Sequence, residues 1–120
     1  MLQQPQKPVH ETFNDGFLIF GRETTQRSET GKRTGKTFSA EGKLAYKEMT
    51  CRDSDYQMAG YMDASLDIKV KTLYPPSFQN ISKSKLKVRI GNIEFDVIKV
   101  DPDGKRYLYF YLQEVGAVNE

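Results

Sequence analysis

The most regular part of the chain is its second half, where apolar and polar residues alternate with a period of two. In "SLDIKVKT", Leu66, Ile68 and Val70 alternate with Asp67, Lys69 and Lys71, the pattern of a strand with one buried face. The next segment, "LYPPSF", cannot prolong that strand, because Pro75 and Pro76 remove two backbone donors and fix the chain direction. From Lys85 to Val115 the pattern predicts three antiparallel strands joined by two tight turns. Gly91-Asn92 suits a two-residue hairpin that needs positive φ. Asp101-Pro102-Asp103-Gly104 suits a four-residue turn with proline at its second position. With these turns, Ile90 faces Ile93, Val88 faces Phe95 and Leu86 faces Val97. In the second hairpin Val97 then faces Leu108, Phe95 faces Phe110 and Ile93 faces Leu112. One face stays apolar across three strands, which a slip of one residue would destroy. The opposite face sets Ile98 against Tyr107, Asp96 against Tyr109 and Glu94 against Tyr111.

The first half is less periodic. "FLIF", Phe17 to Phe20, follows Asn14-Asp15-Gly16 and reads as a short buried strand. Residues 21–36 show no apolar periodicity and read as a long loop, with a second strand from about Leu44 to Cys51. Thr50 and Asp53 are spaced as a capping box, and Arg52 to Ala59 is the one predicted helix, ended by Gly60. Residues 1–12 read as a flexible arm, 13–116 as one β-barrel domain and 117–120 as a tail. The expected fold is mainly β: a small antiparallel barrel or sandwich with one short helix and a long basic loop between the first strands.

Composition narrows the chemistry. A chain of 120 residues with 38% hydrophobic and 28% charged residues fits one globular domain. A net charge of +2 is too small to imply nucleic acid or membrane by itself. No apolar run is long enough to span a bilayer, and the N-terminus lacks a basic-then-apolar signal pattern, so cytoplasmic synthesis without a membrane is expected. Cys51 is the one cysteine and His10 the one histidine. No internal disulfide, thiolate cluster or zinc set is then expected, and a histidine triad would depend on a residue in the arm. Cys51 reads as a small packing residue and His10 as a solvated one. No catalytic residue, cofactor or metal is expected, and the chain is not read as an enzyme.

The loop contains "TGKRTGKTF", whose Gly35-Lys36-Thr37 matches the end of a phosphate-binding loop. Such a loop needs a glycine where Thr30 stands, and "FSAEGKLAY" after it does not open a helix whose N-terminus could add to phosphate binding. What remains is charge: Arg22, Arg27, Lys32, Arg33 and Lys36 against Glu23 and Glu29, a local +3. Arg27, Lys32, Arg33 and Lys36 are candidates for docking on an acidic neighbour or facing DNA, and the alternative is a solvated loop. Tyr107, Tyr109 and Tyr111 form an amphipathic stripe with Ile98. It suits an internal face covered by the N-terminal strands or the Pro75-Pro76 loop, a subunit interface, or a base-stacking platform.

The segments "GKLAYKEMTCRDSDY", "SLDIKVKTLYPPSF" and "LKVRIGNIEFDVIKVDPDGKRYLYFYLQEVG" resemble the head closure, or head–tail adaptor, proteins of tailed phages and prophages of Gram-positive bacteria. The resemblance runs from about Asn14 to Gly116. It implies a small β-barrel that assembles as a ring of twelve copies in the connector beneath the portal. The implied partners are further copies of the chain, a portal or adaptor protein above, a tail-completion or tail protein below, and packaged double-stranded DNA in the channel. The implied location is the head–tail interface of the virion, after assembly in the host cytoplasm. In stopper-type relatives the segment matching Thr50 to Ala64 projects into the channel as a gate. By position that makes Arg52, Asp53, Asp55, Tyr56, Met58 and Tyr61 candidate gate residues. Two other readings stay open: a small nucleic-acid-binding barrel using the basic loop and the tyrosine face, and an enzyme accessory subunit with no chemistry of its own.

Overall fold

A computed structural model describes residues 11–27, 33–83 and 85–118, with the backbone alone described at 25–27 and 33–36. The chain forms β1 (Gly16–Arg27), β2 (Arg33–Met49), the helix α1 (Asp53–Tyr61), β3 (Ile68–Leu73), a 3-10 turn (Pro76–Asn80), β4 (Lys87–Ile90), β5 (Ile93–Asp103) and β6 (Tyr107–Ala117). The strands pair in the order β1-β2-β3-β6-β5-β4, and β4 returns to β1 through Leu18↔Ile90 to Gly21↔Lys87. Every pairing is antiparallel and the sheet closes into a six-stranded barrel. Closure leaves the barrel itself without an edge strand.

Period-two alternation puts Leu18, Phe20, Val70, Val88, Phe95, Leu108, Phe110 and Leu112 inside, all of them buried. The centre of this core comes from outside the strands. Phe78, on the 3-10 turn, is fully buried and its ring makes edge-on contacts with Phe20 at 5.3 Å, Phe110 at 5.9 Å and Tyr74 at 6.1 Å between centroids. The prolines that end β3 therefore also aim this turn: Pro75 precedes it in an extended conformation and Pro76 opens it.

The first tight hairpin has the expected register, with Ile90↔Ile93 and Val88↔Phe95 paired across Gly91, whose φ is +60°. The second does not. β5 runs on to Asp103, the turn is built on Gly104 to Arg106, and Tyr107 pairs with Asp103, Tyr109 with Asp101 and Tyr111 with Lys99. Leu108 faces Pro102, Phe110 faces Val100 and Leu112 faces Val97 in place of the expected partners. The later turn produces the shift, and two features accommodate it. A bulge between Val97 and Lys99 makes Ile98 an extra residue, so Val97 and Val100 both pack inward while Ile98 points out. Pro102 is tolerated in the strand because β4 pairs with β5 only over Ile93–Asp96, leaving that edge open.

The excursion read as a long loop is largely strand. Beyond Gly21 the barrel partner β4 stops, but β1 and β2 continue together from Arg22↔Ser39 to Arg27↔Arg33 as a two-stranded arm. Its threonine-rich strands suit extended backbone but carry no apolar alternation, and the described Glu23, Thr24, Thr37 and Ser39 on it are exposed. A bulge marks its root: Phe20 pairs with Gly42 and Gly21 with Ala40, leaving Glu41 extra. Glu41 accepts from the Arg22 Nε at 3.0 Å, and the same guanidinium donates to the Ser82 carbonyl. A side chain on Gly21 would place Cβ 2.1 Å from the Ser39 carbonyl oxygen, which is backbone and cannot swing away. Gly21→Ala is expected to destabilise the barrel by about 2 kcal/mol through this overpacking. Thermal unfolding checks it, with Gly60→Ala, which meets nothing within 4 Å, as a control that does not lower the midpoint.

Candidate functional site

Helix α1 starts one residue later than expected and extends past Gly60 to Tyr61. Its capping contact is not Thr50 with Asp53: the Asp55 carboxylate accepts the backbone N–H of Arg52 at 2.9 Å. The reason lies in the next strand. Asp55 also accepts from Lys69 of β3 at 3.1 Å, with only 12% and 11% of the two side chains exposed. One carboxylate thus caps the helix and fixes it to the barrel. Around this contact Ala59, Leu66 and Tyr111 are buried together, with Cys51, Met58, Ile98 and Tyr109 packed against them. Cys51 is a half-buried packing residue here. Burial works against the charged forms of Asp55 and Lys69. The Arg52 N–H and Lys69 nonetheless hold the Asp55 carboxyl below the ordinary aspartate value, and Asp55 with Tyr111 holds Lys69 above the ordinary lysine value.

The tyrosine stripe is a lysine–tyrosine ladder. β3 pairs with β6 so that Lys69 faces Tyr111, Lys71 faces Tyr109 and Leu73 faces Tyr107. The Lys69 Nζ stands 5.3 Å from the ring centres of both Tyr109 and Tyr111, and the Lys71 Nζ 4.1 Å from Tyr107 and 5.5 Å from Tyr109. The segment before β1 covers the other end of the ladder. Glu11 accepts from Lys71 at 2.9 Å and lies 3.6 Å from Lys47, and the Phe13 ring lies 6.1 Å from that of Tyr107. The Lys71 hydrogen bond holds the Glu11 carboxyl below its ordinary value against slight burial. Position Glu11, assigned to the arm by composition, is therefore docked; residues 1–10, including His10, lie outside the described residues.

The expected gate and interface residues thus meet only in part. Asp55 and Met58 face Ile98, Tyr109 and Tyr111, while Arg52, Asp53, Tyr56 and Tyr61 face out, with Tyr61 88% exposed. Tyr111 is buried within the chain, so it is covered by α1 and offers neither a free interface nor a stacking platform. Tyr107 and Tyr109 are half-buried. In the basic set, Arg27 and Arg33 are paired near the end of the arm and Lys36 pairs with Thr25, while Lys32 lies outside the described residues. The arm's root is fixed by Glu23 on Lys87 at 3.2 Å and by the Arg89 guanidinium 4.2 Å from the Phe38 ring centre. An open recess of about 450 Å³ on the barrel wall, next to the residues that lead into α1, is lined by Thr50, Arg52, Lys69, Asp101, Tyr109 and Tyr111 among others. Its lysine is already committed to Asp55, and the lining contains no nucleophile–base pair. No cluster of metal-ligating side chains is found among the described residues. No helix among them is long and apolar enough to cross a membrane.

Lys69, Lys71, Glu11 and Phe78 escaped the sequence reading. The two lysines carried the signal of a solvated strand face. Only the non-sequential β3–β6 pairing turns that face toward tyrosines and a helix.

No protein-family model matches the chain, and no curated protein matches its sequence. Among solved structures, a chain in the virion of a native gene transfer agent (GTA) particle matches with a TM-score of 0.50 and 15% identity, over 86% of this chain and 96% of that one. At that identity the likeness is one of fold: a mainly β domain of nearly the whole length of a virion component.

Proposed function

We propose that the chain is a structural virion protein of a tailed-phage-type particle, a ring subunit of the head–tail connector beneath the portal or adaptor. In this reading it closes the capsid after DNA packaging and presents the docking surface for the tail, after assembly in the host cytoplasm. The supporting observation is the near-complete fold match to a virion component, which agrees with the segment resemblance. The protein acts by shape and contacts, with its own copies, the portal side, the tail side and the packaged DNA as partners. Arg27, Arg33 and Lys36, whose backbone lies on the β1–β2 hairpin, together with Lys32 are the docking or DNA-facing positions. Segment 52–61 is the gate: a short helix tied to the barrel by one ion pair and a small apolar cluster, an element able to leave its seat.

Deleting the protein in a producing strain is expected to give heads that package DNA but lose it and carry no tails. Replacing residues 53–61 with a short flexible linker is expected to leave rings that form yet leak DNA. Electron microscopy of particles and nuclease protection of their DNA read both effects; tailed, DNA-retaining particles after full deletion would refute the reading. The nucleic-acid-binding alternative is weakened by the burial of Tyr111 within the chain. It predicts tight binding of free duplex with steep salt dependence.

A further inference from the structure

The hairpin arm carries two open backbone edges. β4 covers β1 only from Leu18 to Gly21, and beyond the root contacts of Arg22 and Glu23 the outer edge of β1 is open over residues 24–27. β3 covers β2 only from Tyr46 to Met49, so the outer edge of β2 is open over residues 33–45. Among the described residues, the backbone hydrogen bonds of turns and loops do not reach either stretch. Within them Thr24, Thr37, Ser39, Ala40, Glu41 and Lys43 are exposed, and no proline blunts either edge. A two-stranded ribbon is marginally stable alone, and open edges are templates for further strands.

Resting on the ring reading above, we infer that the arm forms the contact between copies: the open β1 edge of one copy pairs, antiparallel, with the open β2 edge of the next. The two edges lie on opposite sides of one ribbon and run in opposite directions. A second ribbon placed beside the first therefore continues the same up-and-down alternation without a change of hand. Such a contact joins two different surfaces of the chain, is satisfied at every copy, and closes as a ring when the rotation between copies closes. The recognition is main-chain hydrogen bonding, to which the small residues Thr24, Thr34, Gly35, Thr37 and Ser39 offer little steric obstacle. A second copy fits better than an unrelated strand because it offers both complementary edges at once. The root contacts of Arg22 with Glu41 and Glu23 with Lys87 fix the angle at which the ribbon leaves the barrel, so each copy presents it alike.

The test replaces residues 24–37 with Asn-Gly, which closes a two-residue turn on the paired positions Glu23 and Phe38 and keeps the root contacts. Both chains are first melted to confirm a folded barrel, then followed by mass photometry and electron microscopy, alone and with portal complexes. The wild-type chain is expected to form rings in which amides of residues 24–27 and 37–45 gain at least tenfold protection from hydrogen exchange. The shortened chain is expected to fold but to form no rings. Rings from the shortened chain, or wild-type rings whose edge amides exchange as fast as in the free chain, overturn the contact while leaving the ring reading standing. Failure of the wild-type chain to form rings even on portal complexes overturns both. Salt-sensitive binding of duplex DNA that needs the arm, with ring formation unaffected by shortening, assigns the arm to nucleic acid and overturns the contact.

Discussion

Replacing Phe78 with alanine is expected to cost about 3–5 kcal/mol of folding stability, the range for emptying a buried aromatic site. The ring fills the barrel from a turn outside the sheet and meets three other rings edge-on. No strand residue can readily shift into its place, because every strand of the closed barrel is hydrogen-bonded to two neighbours. For a domain whose total stability lies at about 5–15 kcal/mol, this removes a large share of the margin. The thermal midpoint is expected to fall by roughly 12 °C or more. Circular dichroism melts and urea titration check it, with Phe78→Leu as the milder companion. A loss below about 1 kcal/mol would mean that the turn only caps the barrel and the core closes without it.

The second large effect concerns the Asp55–Lys69 pair. Removing the lysine by Lys69→Met leaves the Asp55 carboxylate beneath the helix without its counter-charge, and about 1–3 kcal/mol of local stability is expected to be lost. The loss should appear first as faster amide exchange and proteolysis across residues 52–62, before the barrel melts. The pH dependence follows from the two shifts. Asp55 titrates below its ordinary value in the folded chain, so its stabilisation is full above about pH 3.9 and disappears as the pH falls through the lowered folded value. Lys69 titrates above its ordinary value, so its stabilisation is full below about pH 10.4 and disappears as the pH rises through the raised folded value. The helix is therefore expected to stay seated across neutral pH and to loosen at the acid extreme. Asp55→Asn should remove that acid step and weaken the seat at neutral pH. Unchanged exchange of residues 52–62 in both variants would show that the apolar cluster alone seats the helix.

The parts of the fold that could be read in the sequence are those where a local period meets a local turn. Val88, Ile90, Ile93 and Phe95 alternate around Gly91-Asn92, and pattern and turn agree on one register. The second hairpin was misread because Asp101-Pro102-Asp103-Gly104 is good turn chemistry placed inside a strand. Moving the turn to Gly104–Arg106 displaced every partner of the tyrosines by five positions along β5, and the bulge at Ile98 keeps the apolar residues on one face across that odd shift. The β1–β2 arm left no periodic signal, since alternation records burial and its described residues Glu23, Thr24, Thr37 and Ser39 are exposed. The site was harder still. Residue types at Asp55, Tyr109 and Tyr111 suggested function, but what unites them is Lys69, and it reaches them only because β3 crosses to β6. Phe78 follows two prolines in a segment that reads as a loop, and only barrel closure turns it inward.

The central claim is a place in a connector, and assembly on purified portal rings tests it most directly. Incubating the full-length chain with those complexes and imaging the product is expected to show a second ring seated at the tail-facing end of the portal. The barrel of each copy should lie in the ring wall, with the β1–β2 arm against its neighbour. Portal rings that remain bare at concentrations saturating for a connector protein, with and without packaged DNA, would contradict the account.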